Sequence, residues 1–307
     1  MRLRRADLVG VSVVTAAGCC YAAATIAIKF AYRHQAGAGT VALLRFVVSA
    51  LALWLLARVI GVARLPEPRK LRSLLVMGLV SSVVGGLFVG SLSRIPAATS
   101  TLLLYAHPAM VAAATAVLGR ERFNIGKGAA LGLSGAGLLL VLGAPGTDLD
   151  ALGVGMALGA AIALATFIVL AQRAVVAVHP LVSSGLVQGT AAVVLAPVVV
   201  SFGGVELGRL PESAGWLVAV GLFTAGAISL FLTAVRRLGP TRAAIGATVE
   251  PVATVILGLL LLEEAVSGVQ LVGGAFVVAA VAILPVVERR VILVNDFPPN
   301  GRQNRRE

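Results

Sequence analysis

The fold is decided by TLLLYAHPAMVAAATAVLGRE, residues 101–121, an apolar run with His107 and Pro108 near its centre. Hydrophobic residues make up 59% of the 307-residue chain, charged residues only 12%, and the mean hydropathy is +1.00. Soluble domains are about 45–50% apolar, so this chain has too little polar surface to cover a water-exposed fold. The surrounding medium is therefore expected to be lipid.

Ten stretches of the chain are long and apolar enough to form membrane-spanning helices, which need about 20 residues each. Seven contain no charged residue: 8–28, 73–93, 95–119, 128–147, 151–172, 213–235 and 265–287. Two more contain one charge each, Arg45 within 35–57 and Glu250 within 243–262, and the tenth starts near residue 181. The sequence therefore predicts an all-α integral membrane protein with ten transmembrane helices.

Basic residues are distributed unevenly between the two sides of these spans. With the N-terminus inside, twenty Lys and Arg fall on the inner side and four on the outer side, namely Lys29, Arg33, Arg94 and Arg209. Cytoplasmic loops carry the excess of Lys and Arg, so both termini are expected in the cytoplasm. Arg is much more frequent than Lys, which is typical of a GC-rich bacterial genome, and in a bacterium the expected location is the plasma membrane. The net charge of +12 then reflects topology, and no nucleic-acid partner is predicted.

The second half of the chain repeats the first with an offset of 143 residues. Residues 244–264 read AIGATVEPVATVILGLLLLEE, and this segment aligns with residues 101–121 so that Glu250 falls on His107. The same offset places Gln188 on Arg45.

Each half contains five predicted spans, so the second half must be inverted in the membrane relative to the first. Inverted repeats are typical of secondary transporters, whose substrate sites lie near the bilayer midplane between the repeats. We expect five-helix repeats over residues 8–147 and 151–287 around a central cavity. Residues 288–307, with FPPNG and scattered charges, are expected to form a disordered cytoplasmic tail.

Three segments carry a family resemblance: LLRF at 43–46, SLSRIPAATSTLLLYAHPAMVAAATAVLGRERF at 91–123 and VRRLGPTRAAIGATVEPVATVILGLLLLEEAVSGVQLVGGAFVVAAVAIL at 235–284. On these segments the chain resembles the EamA-type ten-helix transporters of the drug/metabolite transporter superfamily. It departs from the family's usual GE pair at Arg120-Glu121 and at Glu263-Glu264. The resemblance implies a helical bundle with a central cavity, alternating access, and small substrates that include amino acids and are often exported.

The centres of two spans carry an ionisable residue followed by proline, His107-Pro108 and Glu250-Pro251. Proline lacks an N–H and clashes with the carbonyl four residues earlier, so both prolines are predicted to kink their helices. An intramembrane ionisable residue indicates a functional site, and we expect Glu250 to bind a substrate amine or to exchange protons. For His107 two interpretations remain, a substrate contact or a hydrogen bond to a neighbouring helix.

Four further residues are candidates for the cavity wall. An arginine inside a span is costly unless it is paired or reaches the interface, so Arg45 either forms a structural bridge to carbonyls or headgroups or binds a substrate carboxylate. Tyr21 and Tyr105 offer a hydroxyl on an aromatic ring. Thr254 shares the helix face of Glu250, because residues four apart lie on one side.

Three classes of function fit such a chain: a transporter, a non-transporting membrane scaffold and an intramembrane enzyme. The sequence has no cluster of metal ligands, no nucleophile elbow and no phosphate loop, so it predicts neither enzyme activity nor a metal or cofactor. A scaffold does not need a charge at mid-membrane. We therefore predict a secondary transporter of a small molecule, with protons as a candidate coupling ion, in a monomer or homodimer.

Overall fold

The computed structural model describes residues 5–110, 125–143, 149–175, 178–201, 204–205, 210–238, 243 and 246–280. Within this part the chain forms no strand and ten helices of eight residues or more. They are α1 Arg5–Arg33, α2 Ala38–Val59, α3 Pro68–Leu92, α4 Ala97–Leu104, α5 Ile125–Leu142, α6 Ala151–Ala174, α7 Pro180–Ser201, α8 Leu210–Leu238, α9 Val249–Leu261 and α10 Gly268–Ala280.

Each of these helices overlaps one of the ten predicted spans, and the all-α fold is confirmed. Six of the helices contain a stretch long and apolar enough to cross a bilayer: Ser12–Arg33, Ala38–Val59, Pro68–Leu92, Ala151–Ala171, Pro180–Ser201 and Pro211–Arg237. Many large apolar side chains on these helices face outward, including Leu51, Val193 and Leu222, each at least half exposed. Outward-facing apolar side chains are what a lipid-facing surface requires.

The two repeats interlock, because the largest helix contacts join one repeat to the other. Helix α1 packs against α8, and the symmetry-related pair α6 and α3 packs in the same way. Equivalent helices also meet directly, α2 with α7 and α4 with α9. This pattern is that of two five-helix repeats related by a pseudo-two-fold axis, with the core of the protein between them.

The helices that carry the two prolines are interrupted just before each proline, at the two positions where kinks were predicted. Helix α4 ends at Leu104, residues 105–106 form a turn, and the chain is helical again over 107–110. Helix α9 likewise begins at Val249 after a turn at 247–248. A proline is tolerated in the first turn of a helix, where its missing N–H would have no partner anyway.

Several parts of the predicted spans lie outside the described residues, namely 111–119, 144–147, 244–245 and 281–287, as does the tail at 288–307.

Helices α5 and α10 approach each other through two glycines. A Cβ atom built on Gly137 would lie 2.6 Å from the carbonyl oxygen of Gly273, and one built on Gly273 would lie 2.6 Å from that of Gly137. Any side chain at either position would therefore push the two backbones apart.

Candidate functional site

A buried cavity of about 90 Å³ lies between the repeats. That volume is several times what a single water molecule needs. The walls come from α1, α2, α3, α6, α7 and α8, together with the residues at the two helix interruptions. They comprise Ala17, Gly18, Tyr21, Ala24, Thr25, Ile28, Arg45, Ser81, Val84, Gly85, Phe88, Leu104, Tyr105, His107, Leu164, Phe167, Ile168, Gln188, Thr224, Ile228, Phe231, Ala247 and Glu250.

The offset of 143 residues maps most of one wall of the cavity onto the other. Both members of nine aligned pairs line the cavity: Tyr21 with Leu164, Ala24 with Phe167, Thr25 with Ile168, Arg45 with Gln188, Ser81 with Thr224, Gly85 with Ile228, Phe88 with Phe231, Leu104 with Ala247 and His107 with Glu250. The cavity therefore lies on the pseudo-two-fold axis, where an inverted-repeat transporter has its substrate site.

Tyr105 connects the two helix interruptions across the repeat boundary. Its hydroxyl donates to the carbonyl oxygen of Ala247 and lies 3.1 Å from Oε2 of Glu250. The Ala247 carbonyl is the one that Pro251 leaves without its normal helical partner. Helix α1 comes close at the same point, because a Cβ on Gly18 would lie 3.1 Å from the backbone nitrogen of Glu250. Glu250 is thereby held in a compact, buried setting.

His107 satisfies the equivalent carbonyl in the first repeat. Its Nδ1 lies 3.0 Å from the carbonyl oxygen of Leu104, the group that Pro108 leaves free. Because a carbonyl can only accept, Nδ1 carries the proton in this arrangement. The imidazole also packs edge-on against Tyr105, with ring centroids 5.3 Å apart. His107 thus bonds within its own chain segment and also lines the cavity.

Arg45 lies on the cavity wall and not at the end of its helix. Its guanidinium carbon is 5.4 Å from the ring centroid of Phe46, within cation–π range. Its Nε is buried and has no hydrogen-bond partner. A buried donor of this kind is normally satisfied by protein, water or ligand, so Arg45 can still bind a group in the cavity.

Of the other candidates, Tyr21 lines the cavity and Thr254 does not. Thr254 lies one turn beyond Glu250 on α9, is fully buried, and has an Oγ1 without a hydrogen-bond partner. Helical spacing placed it on the face of Glu250, but that face extends past the cavity into the helix packing. The structure therefore does not bring Thr254 to the site.

Sequence reasoning missed three polar residues of the wall, Gln188, Ser81 and Thr224. The side-chain amide nitrogen of Gln188 donates to Ser49 Oγ at 3.2 Å. The Ser81 hydroxyl lies 3.5 Å from the side-chain amide oxygen of Gln188. Thr224 Oγ1 is buried without a hydrogen-bond partner. The signal for Gln188 was present, because the offset pairs it with the candidate Arg45. Ser81 and Thr224 pair only with each other, so neither was marked by a candidate residue.

One ion pair outside the membrane-spanning helices joins Arg94 to Asp150. Arg94 donates to Asp150 at 2.7 Å, and this bond holds the pKa of the Asp150 carboxyl below its usual value. The same carboxylate caps α6 by accepting from the backbone nitrogens of Leu152 and Gly153. Among the described residues, no group of three His, Cys, Asp or Glu could hold a metal ion.

Replacing His107 with leucine is expected to lower the free energy of unfolding by about 1–3 kcal/mol, the typical cost of leaving a buried polar group unsatisfied. The Leu104 carbonyl would lose its partner. Thermal unfolding of the purified variant in detergent measures the effect, and His34→Leu, at an exposed position, serves as the control. Substrate affinity should also change among folded molecules. Stability and affinity both equal to those of the parent would contradict this assignment.

Comparison with known proteins supports the architecture described above. The EamA-like transporter family matches residues 8–143 and 151–285, one match in each half. A solved crystal structure resembles the chain with a TM-score of 0.66 and 19% sequence identity, covering 92% of this chain and 98% of its own. At that identity the likeness shows the fold alone. No curated protein matches the chain.

The family match covers nearly the whole of both repeats, and in the described part of the chain helices of both repeats line a shared cavity. The resemblance of the sequence to EamA-type transporters is thereby confirmed. This chain is a multi-pass membrane protein that belongs to the EamA-like transporter family.

Proposed function

We propose that this protein is a secondary active transporter that exports a small zwitterionic metabolite, an amino acid or related compound, across the plasma membrane. The single observation that supports the proposal is the presence of Arg45 and Glu250 on the wall of one buried cavity. Arg45 belongs to the first repeat and Glu250 to the second. A solute held between them would contact both repeats, as alternating access requires.

The two charges are available to a solute because they do not neutralise each other directly. No salt bridge within 4.0 Å joins Arg45 to Glu250. A guanidinium is well suited to bind a carboxylate, and a carboxylate such as that of Glu250 can accept hydrogen bonds from an ammonium group. The rest of the wall is mainly apolar, with Phe88, Phe167 and Phe231 among its members. An amino acid with a small apolar side chain matches these three features.

The interrupted helices give the site a means of responding to its occupant. Residues 105–106 and 247–248 form turns beside the cavity, where the backbone is not locked into continuous helix. Broken helices at a central site are a recurrent feature of transporters with inverted repeats. A solute that bonds to Glu250 competes with the Tyr105 hydroxyl, which now links the two interruptions. Binding would thus loosen a contact between the repeats.

Proton coupling follows from the same carboxylate. A proton on Glu250 and a substrate ammonium compete for one oxygen pair, so entry of one favours release of the other. Exchange of a proton for a substrate at a single site gives coupled antiport. In this scheme the inward proton gradient drives the export of substrate.

Flux measurements in liposomes test the proposal. The purified protein should accumulate a radiolabelled apolar amino acid, saturably and only under an imposed pH gradient. The corresponding amide, which lacks the carboxylate, and the deaminated acid, which lacks the amine, should compete poorly. A scaffold or an enzyme would show no saturable movement of any solute, and that result would reject the proposal.

The proposed topology has both termini in the cytoplasm and the α3–α4 and α9–α10 connections outside. Cysteines introduced for Glu212 and Arg69, in a chain whose Cys19 and Cys20 are replaced by alanine, report it directly. Both positions are exposed in the structure. Impermeant maleimide added to intact cells should label Glu212→Cys and leave Arg69→Cys unlabelled. The reverse pattern would show that the orientation is opposite.

A further inference from the structure

A cluster of charged contacts joins the repeats at one end of the bundle. The Lys29 ammonium donates to the carbonyl oxygen of Ile95 at 2.8 Å and lies 3.5 Å from Oε1 of Glu264. The Glu264 carboxylate accepts from the backbone nitrogens of Ala97 at 2.9 Å and Ala98 at 3.3 Å. Glu264 belongs to the second repeat and the other four residues to the first, so each of these contacts of the Glu264 carboxylate crosses the repeat boundary.

A second cationic residue adds to this cluster. Arg33, one turn beyond Lys29 on α1, donates to the carbonyl oxygen of Leu262 at 2.6 Å. These residues surround a polar pocket of about 330 Å³ that opens at the end of the bundle. We call Lys29, Arg33 and Glu264 the outer cluster.

The outer cluster stands between the central cavity and the end of the bundle. Along α1, Ile28 lines the cavity and Lys29, Tyr32 and Arg33 line the end pocket. The first residues of α4 bind Glu264, and its last residue, Leu104, lines the cavity. A solute leaving the cavity along α1 and α4 must therefore pass these side chains.

The repeats are not equivalent at this point. The offset of 143 aligns Lys29 with Gln172 and Arg33 with Val176, whereas Glu264 aligns with a second glutamate, Glu121. The ionic contact to the glutamate is therefore encoded at these positions in one repeat only. The glutamate is present in both repeats, but its basic partner is present in only one. This departure from the internal symmetry indicates that the ionic contact has a function at one end of the bundle only.

We propose that the outer cluster is the gate that closes the cavity toward this end of the bundle, which is the extracellular end in the topology proposed above. The proposal rests on the proposed transport function. Lys29 and Glu264 are mostly shielded from solvent, with side chains 18% and 13% exposed. Glu264 gains further from the N-terminus of α4, where negative charge is favoured. The contacts of the Glu264 carboxylate with Lys29, Ala97 and Ala98 must all break when the repeats move apart at this end.

The gate is tested by thiol accessibility. Thr25→Cys places a single thiol on the cavity wall close to the outer cluster, in the chain whose Cys19 and Cys20 are alanine. In right-side-out vesicles, impermeant maleimide should label this thiol slowly. Lys29→Gln, which installs the residue found in the second repeat, should increase the labelling rate at least about fivefold, the effect of losing one moderate stabilising contact. Glu264→Gln, which keeps the hydrogen-bond acceptor for α4, should act in the same direction.

Arg94→Gln is the matched control, since it removes an ion pair at the same end whose side chains are 41% and 37% exposed. Solvent-exposed pairs contribute little, so this variant should label like the parent. Faster labelling of Lys29→Gln and Glu264→Gln supports the gate. A failure to detect solute flux would count against the proposed transport function alone and would leave that support unchanged. Unchanged labelling in Lys29→Gln and Glu264→Gln, with both proteins folded, overturns the gate. Acceleration seen only in inside-out vesicles places the gate at the cytoplasmic end and overturns its extracellular assignment.

Discussion

Replacing Glu250 with glutamine is expected to reduce pH-gradient-driven flux to the level of protein-free liposomes. Glutamine cannot take up and release a proton, and it cannot balance a substrate ammonium. It retains the size of glutamate and an oxygen that accepts from Tyr105, whose hydroxyl now lies 3.1 Å from Oε2. The variant should therefore fold, insert in the membrane and elute as the parent does.

Glu263→Gln is the control for this substitution, because Glu263 is an exposed carboxylate at the end of the same helix. Its driven flux should equal that of the parent. If Glu250→Gln also transports at the parental rate under a pH gradient, Glu250 has no role in coupling. If it retains substrate exchange without a gradient but loses driven accumulation, the carboxylate couples protons and does not hold the substrate amine.

Replacing Arg45 with glutamine is expected to weaken substrate binding by roughly two orders of magnitude, since loss of one partner from a buried, hydrogen-bonded charge pair costs about 2–5 kcal/mol. The substitution gives the first repeat the side chain that the second repeat carries at Gln188. Isothermal calorimetry or competition flux on the purified protein measures the change. The loss should be large for a carboxylate-bearing substrate and small for its amide.

That comparison separates the two interpretations of Arg45 that the sequence left open. If Arg45 is only a structural bridge, packed against Phe46, its replacement should weaken binding of the carboxylate and of the amide equally. Arg58→Gln, at an exposed position in the last turn of the same helix, controls for the loss of one positive charge. Equal binding of substrate by Arg45→Gln and the parent would falsify the carboxylate assignment.

The sequence was sufficient to predict the architecture, because the relevant signals are properties of single helices. Span length follows from the thickness of the bilayer, and five spans per half make the repeat inverted whatever the packing. The offset of 143 came from the prolines at 108 and 251 and from a few flanking matches. The same offset maps nine residues of the cavity wall onto nine others. His107, Glu250, Arg45, Tyr21 and Tyr105 were all expected at the cavity, and all line it.

Tertiary structure alone decided how each residue is used. Proline chemistry predicted that the carbonyls of Leu104 and Ala247 would lose their normal helical partners. Local groups replace part of the loss, His107 at Leu104 and the backbone nitrogen of Glu250 at Ala247. Only the fold brings the Tyr105 hydroxyl to Ala247 from the opposite repeat. Helical spacing placed Thr254 on the same face as Glu250, but the packing of α9 keeps Thr254 away from the cavity. The contact of Lys29 with Glu264 joins residues 235 positions apart. Periodicity along one helix carries no information on which other helix lies beside it, so such pairs exist only once the repeats have packed.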